Sequence, residues 1–109
     1  MAKPPTKALS IAAAAGKTIY PAKFSAVVEG RTKRKLGNYF GLSNFGVNLT
    51  SLAPGAVSAL MHYHSKQDEF IYVVEGELTV RIGGDTHDMT SGDCIGFEAG
   101  AGVGHQIIN

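Results

Sequence analysis

The chain has 109 residues and a formal net charge of +1. That length suits one domain with one modest core, and the balanced charge removes any global drive toward nucleic acid or a membrane surface. No apolar stretch approaches the roughly 18 residues of a membrane span, and the single cysteine, Cys94, excludes an internal disulfide and fits a reducing cytoplasm.

Residues 1–29 read as an N-terminal arm and residues 30–109 as a β-barrel domain. Lys3 and Lys7 precede the small-residue run ALSIAAAA, which imitates a secretory leader. Pro4 and Pro5 interrupt its basic part, however, and the run is mostly alanine. The expectation is instead a short helix from about Lys7 to Ala15, stopped at Gly16. So short a helix must pack on something. KTIYPAKFSAVV is expected to be extended around Pro21, with Ile19, Tyr20 and Phe24 as anchors. Arg31 to Lys35 then places four cations in five residues. A phosphate or polyanion site is conceivable there, but no stacking aromatics accompany the run, and a solvated loop is expected.

Lys35 to Leu42 and Phe45 to Leu52 read as strands around a Ser43-Asn44 turn. After Pro54-Gly55, Val57 to His64 reads as a strand with Ser58, Leu60, His62 and His64 on one face. Glu69 opens the next apolar run. Glu69, Ile71 and Val73 share one face; Phe70, Tyr72 and Val74 share the other. Gly76 turns the chain into Leu78 to Ile82, and Gly83-Gly84-Asp85 is a strong hairpin signal before Thr86 to Met89. Ser91-Gly92 turns into Cys94 to Phe97, where Cys94 reads as a small buried hydrophobe. Gly100, Gly102 and Gly104 lead to a last strand starting near His105. With 14 glycines among short apolar runs, the texture is all-β, a small antiparallel barrel or sandwich of the jelly-roll type.

Candidate metal ligands cluster in one stretch. His62 and His64, two apart on a strand, can reach one point, and a turn over Ser65 to Asp68 would bring Glu69 beside them. His105 is a fourth candidate, whereas His87 lies in a hairpin return and is expected to be exposed. A carboxylate pointing into an apolar barrel is costly unless paired or metal-bound. Imidazoles plus one carboxylate are borderline nitrogen and oxygen donors, suited to a divalent transition ion. A metal-free polar network is the competing reading.

The spacing His62-x-His64-x4-Glu69-x6-Gly76 resembles the first signature motif of the cupins. Gly92, Gly100, His105 and Asn109 resemble the second, with Glu98 where a proline is usual and a longer step before His105. The resemblance covers about Gly30 to Asn109 and includes RKLGNYFGLSNFGVNLTSLAPG, similar to small single-domain bacterial cupins of no settled activity. It implies a double-stranded β-helix, a jelly-roll barrel, holding one divalent transition ion (Zn, Ni, Mn or Fe) through His62, His64, Glu69 and His105. It also implies a small-molecule ligand. Cupin activities span dioxygenases, isomerases, decarboxylases and non-catalytic binders, and fold alone does not choose among them. The expectation is a cytoplasmic protein that binds or transforms a small oxygenated metabolite. A non-catalytic sensing module and a metal-stapled structural barrel are the alternatives. No basic residue adjoins the ligand positions except Lys66 in the turn, which disfavours a phosphorylated sugar.

Strands apolar on both faces need a second cover, so Met61, Phe70, Tyr72 and Val74 predict a homodimer. The chain also resembles a cupin cut short after its second motif. The gap that the absent strand leaves beside the core is expected to be covered by the arm, about Lys7 to Phe24, or, preferably, by a strand from a partner.

Overall fold

The computed structural model describes residues 3–13, 30–58, 67–100 and 102–109. Its centre is a three-stranded antiparallel sheet in the order β5-β4-β7. β4 (Glu77–Ile82) and β5 (Asp85–Thr90) form a hairpin whose register ends at Ile82 opposite Asp85. The two-residue loop Gly83-Gly84 closes it, and Gly83 takes φ 57°, a left-handed conformation that costs glycine nothing. β7 (His105–Ile108) lies along the other edge of β4, with Ile82 opposite His105 and Thr79 opposite Ile108. A second sheet pairs β3 (Glu69–Tyr72) with β6 (Cys94–Phe97), setting Glu69 opposite Phe97. A third ribbon pairs β1 (Arg31–Lys35) with β2 (Asn48–Leu52).

The core is formed by the inward side chains of these sheets. Val73, Val80, Met89 and Ile107 are buried, with Leu52, Ile71, Leu78, Ile82, Ile95 and Phe97 packed around them. The period-two pattern decides which residues enter. On β3, Glu69 and Ile71 are half-buried while Phe70 and Tyr72 stand out at 69% and 57% exposure. The all-β jelly roll expected from the sequence is the fold observed, and His87 is exposed as expected.

Several expectations are corrected. The helix from Lys7 to Ala15 is, among described residues, a single 3-10 turn, Ala8–Ser10; Ile11 is already extended. No side chain caps its start, and the Ser10 hydroxyl bonds the Lys7 carbonyl instead of leaving the backbone to propagate. The cationic run is not a solvated loop but β1, half-buried over Arg31 to Arg34, because long basic side chains can bury their aliphatic stems along a partner strand. The strand expected over Lys35 to Leu42 is one helical turn, α1 (Leu36–Tyr39), docked by the Gly37 amide onto the Val47 carbonyl at 2.9 Å. The strand expected from Phe45 begins only at Asn48, and Phe45 is 63% exposed. Cys94 is exposed, since Ile95 and Phe97 take the inward positions of β6. The segments Lys17 to Val28 and Ala59 to His64 lie outside the described residues.

β7 is bonded on both sides within the chain. Opposite β4 it meets the segment after Pro54: Gly55 N–H donates to Asn109 O, Asn109 N–H to Ala56 O, and Ser58 N–H to Ile107 O, at 3.0, 2.9 and 2.8 Å. The Ser58 hydroxyl accepts the Ile107 amide at 3.0 Å, and the Asn109 side-chain amide donates to Leu52 O at 2.6 Å. β7 therefore has a bonded neighbour on each side within the chain.

Candidate metal centre

Glu69 begins β3 and His105 begins β7, 36 positions apart in sequence. The fold brings them together. His105 Nε2 lies 2.5 Å from Glu69 Oε2, one strong hydrogen bond. The two partners differ in access: His105 is 3% exposed and the Glu69 side chain 30%. The imidazole is anchored inside the barrel, whereas the carboxylate opens toward its mouth.

The ring is held from a second side. Phe97, which pairs with Glu69 across the β3–β6 ribbon, stacks on His105 with centroids 3.8 Å apart and planes within 4°. One aromatic thus ties the β6 edge to the β7 edge and fixes the plane of the imidazole. Sequence reasoning missed Phe97. Its signal was the alternation Ile95, Phe97 at the end of a strand, which reads equally well as core.

Of the four ligands expected, the structure brings Glu69 and His105 together, while His62 and His64 lie outside the described residues. Among the described residues no third histidine, cysteine or acidic side chain joins the pair. The donor set that is described, one imidazole nitrogen and one carboxylate oxygen meeting inside an apolar shell, fits a divalent transition ion. Beside it is an open depression of about 440 Å³, lined by Asp68, Glu69, Phe70, Gly96, Phe97 and Glu98. Asp68 is fixed there by the Ala99 amide at 2.8 Å.

Lys33 on β1 is half-buried. Its ammonium is held below the ordinary lysine value by burial first, then by repulsion from Arg31 and Lys35, with Glu69 opposing.

A solved structure from Silicibacter pomeroyi, described as a sugar phosphate isomerase from a cupin superfamily, matches with a TM-score of 0.91 and 44% identity. The match covers 97% of this chain and 67% of that one. A second, from Acidithiobacillus ferrooxidans and described as a putative sugar phosphate isomerase, matches with a TM-score of 0.69 and 26% identity, over 84% of this chain and 65% of that one. The chain thus spans about two thirds of the length of each. No curated protein matches. The model of the cupin domain family matches residues 48–109, from β2 through β7, and so includes both halves of the Glu69–His105 pair. Sequence, strand order and relatives converge: the chain belongs to the cupin family.

Proposed function

We propose that this cupin binds one divalent transition ion through Glu69 and His105, completed by His62 and His64, and isomerises a phosphorylated sugar at that centre. The observation that carries the reading is the meeting of a buried imidazole and a half-open carboxylate from distant strands. The substrate class is supported by the two solved relatives described as sugar phosphate isomerases, against the sequence reading that disfavoured a phosphorylated sugar.

The roles of this chain's residues follow. Glu69 supplies the negative charge that draws a cation to the mouth of the barrel. His105 offers a nitrogen whose direction the Phe97 stack fixes and whose face that ring shields from water. A bound ion would act as a Lewis acid, polarising a carbonyl or hydroxyl oxygen of the sugar. Phe97 and Phe70 supply the apolar part of the depression beside the pair. Pairing of two copies through the outer face of β3 and a cytoplasmic location are parts of the same proposal.

The test is element-resolved metal analysis of protein purified without added metal or chelator, followed by turnover of aldose phosphates before and after chelation. One equivalent of a transition ion and chelator-sensitive interconversion of aldose and ketose phosphates are expected. Metal-free protein that neither takes up added ion nor turns over any sugar phosphate would refute the reading.

A further inference from the structure

We propose that Asp68 is the positioning residue of this centre: by holding the start of the β6–β7 loop, it sets how His105 is presented to Glu69 and to a cation beside them. This deepens the proposed function and rests on it for the metal.

Two neighbouring carboxylates grip the two ends of one loop. Asp68 Oδ1 accepts the Ala99 amide at 2.8 Å, across 31 positions of sequence. Glu69, the next residue, meets His105 Nε2 at 2.5 Å. Ala99 stands two residues beyond Phe97, the end of β6, and His105 opens β7. The far end of the loop has a second tie, the Gly83 amide donating to the Gly104 carbonyl at 2.9 Å. The near end, past the β3–β6 ladder, is tied among the described residues by Asp68 alone. Between the ties, Gly100 and Gly102 take φ of 74° and 78°. Glycine loses more conformational freedom on ordering than any other residue. A loop of this composition therefore keeps one path only where it is held.

The Asp68 bond differs in kind from its neighbour. Glu69 and His105 are both candidate ligands, so an ion that takes their lone pairs competes with the bond between them. Asp68 and the Ala99 amide are not ligands, and their bond is untouched by that competition. It keeps the start of β3 and the loop before β7 in register whether or not an ion is present. The loop is then already ordered when the ion arrives, which is what preorganisation contributes to affinity. Outer partners of this kind change metal affinity by about 10- to 100-fold.

Two simpler roles compete with this one. Asp68 and Glu98 line the same depression as Glu69, so a pure charge role would attract a cation without regard to the Ala99 bond. A purely structural role would stabilise the loop and leave the centre unaltered. Asparagine at position 68 separates them, because it keeps the accepting oxygen and loses the charge.

The experiment titrates cobalt(II) into metal-free wild type, Asp68→Ala, Asp68→Asn and Glu98→Gln, read by visible absorption. The thermal melting of each metal-free protein and its His105 ring signals by NMR are recorded alongside. Asp68→Ala is expected to weaken cobalt about tenfold and to move the His105 ring signals in the metal-free protein. Asp68→Asn and Glu98→Gln are expected to stay within threefold of wild type, with the ring signals in place. Equal losses in Asp68→Ala and Asp68→Asn overturn the proposal in favour of charge alone. A lowered melting point in Asp68→Ala with wild-type cobalt affinity and ring signals overturns it in favour of a structural bond. Asp68→Glu, which keeps the charge and displaces the acceptor by one methylene, replaces Asp68→Ala should that variant fail to fold, with the same tenfold loss expected. Wild type that takes up no cobalt overturns the metal reading. The seating of His105 by Asp68 is then upheld by ring signals that move in Asp68→Ala and not in Asp68→Asn, and overturned by signals that stay, so the two failures are separable.

Discussion

Replacing Glu69 by glutamine separates the structural role of the site from its metal role. The amide keeps the shape of the carboxylate and can still bond His105 Nε2, 2.5 Å away. Without metal, the loss is the difference between a charge-assisted and a neutral hydrogen bond. Because the carboxylate is 30% exposed and partly hydrated, that difference is about 1 kcal/mol. In a domain of this size it lowers Tm by about 5 °C. With metal at 100 times the wild-type Kd, binding adds about 2.7 kcal/mol to the wild type. If the amide weakens metal binding about 100-fold, the variant gains only about 0.4 kcal/mol. The gap between the two proteins should therefore widen from about 1 to about 3 kcal/mol on adding metal. Thermal unfolding followed by circular dichroism, with chelator and then across zinc, nickel, manganese and iron(II), reads it directly. An identical gap in chelator and in every metal would refute Glu69 as a ligand.

Val80→Ala empties part of the most buried position of the core, 1% exposed, and should cost about 2 kcal/mol whether or not metal is present, seen as a fall in the denaturant midpoint at unchanged slope. Lys33 predicts an alkaline signature. Its folded pKa is lowered, so the folded state binds fewer protons than the unfolded one between that value and 10.5, and its contribution to stability rises with pH across the window. Lys33→Met should accordingly melt higher than wild type at pH 7 without ligand, with the advantage vanishing as pH passes 10.5; a lower melting point at pH 7 would contradict this. Phe70, Tyr72 and Val74, each more than half exposed on the outer face of β3 and just beyond it, lead us to expect a homodimer by light scattering at micromolar concentration, and Tyr72→Glu should shift it to monomer.

The turns and the later strands were legible because their signals are local. Gly83-Gly84 closes the β4–β5 hairpin, Ser91-Gly92 precedes β6, and alternation on β3 put Glu69 inward and Phe70 outward. Glu69 could be singled out because an inward carboxylate needs a partner, and here it finds the His105 imidazole. β1 was illegible because alternation is invisible in RTKRK, where both faces are polar and the strand is half-buried through aliphatic stems. α1 was missed because Leu36 to Tyr39 has no helical periodicity of its own; its docking to Val47 depends on contact across the chain. Phe97 was missed for the same reason, since the ring it stacks on is 8 positions away in sequence.

The two-sided bonding of β7 has a consequence for how the molecule matures. The β4–β5 hairpin joins neighbours through a two-residue loop and can form on the microsecond scale of isolated hairpins. The bonds on the far side of β7 need chain closures spanning 49 residues from Ser58 to Ile107 and 57 from Leu52 to Asn109, whereas its pairing with β4 closes the shorter loop from Ile82 to His105. Such long-range closures carry their entropic cost before they are rewarded, and they slow folding. The Glu69–His105 pair forms only once β3 and β7 are both in place, so it reports the completion of long-range closure rather than of the local hairpin.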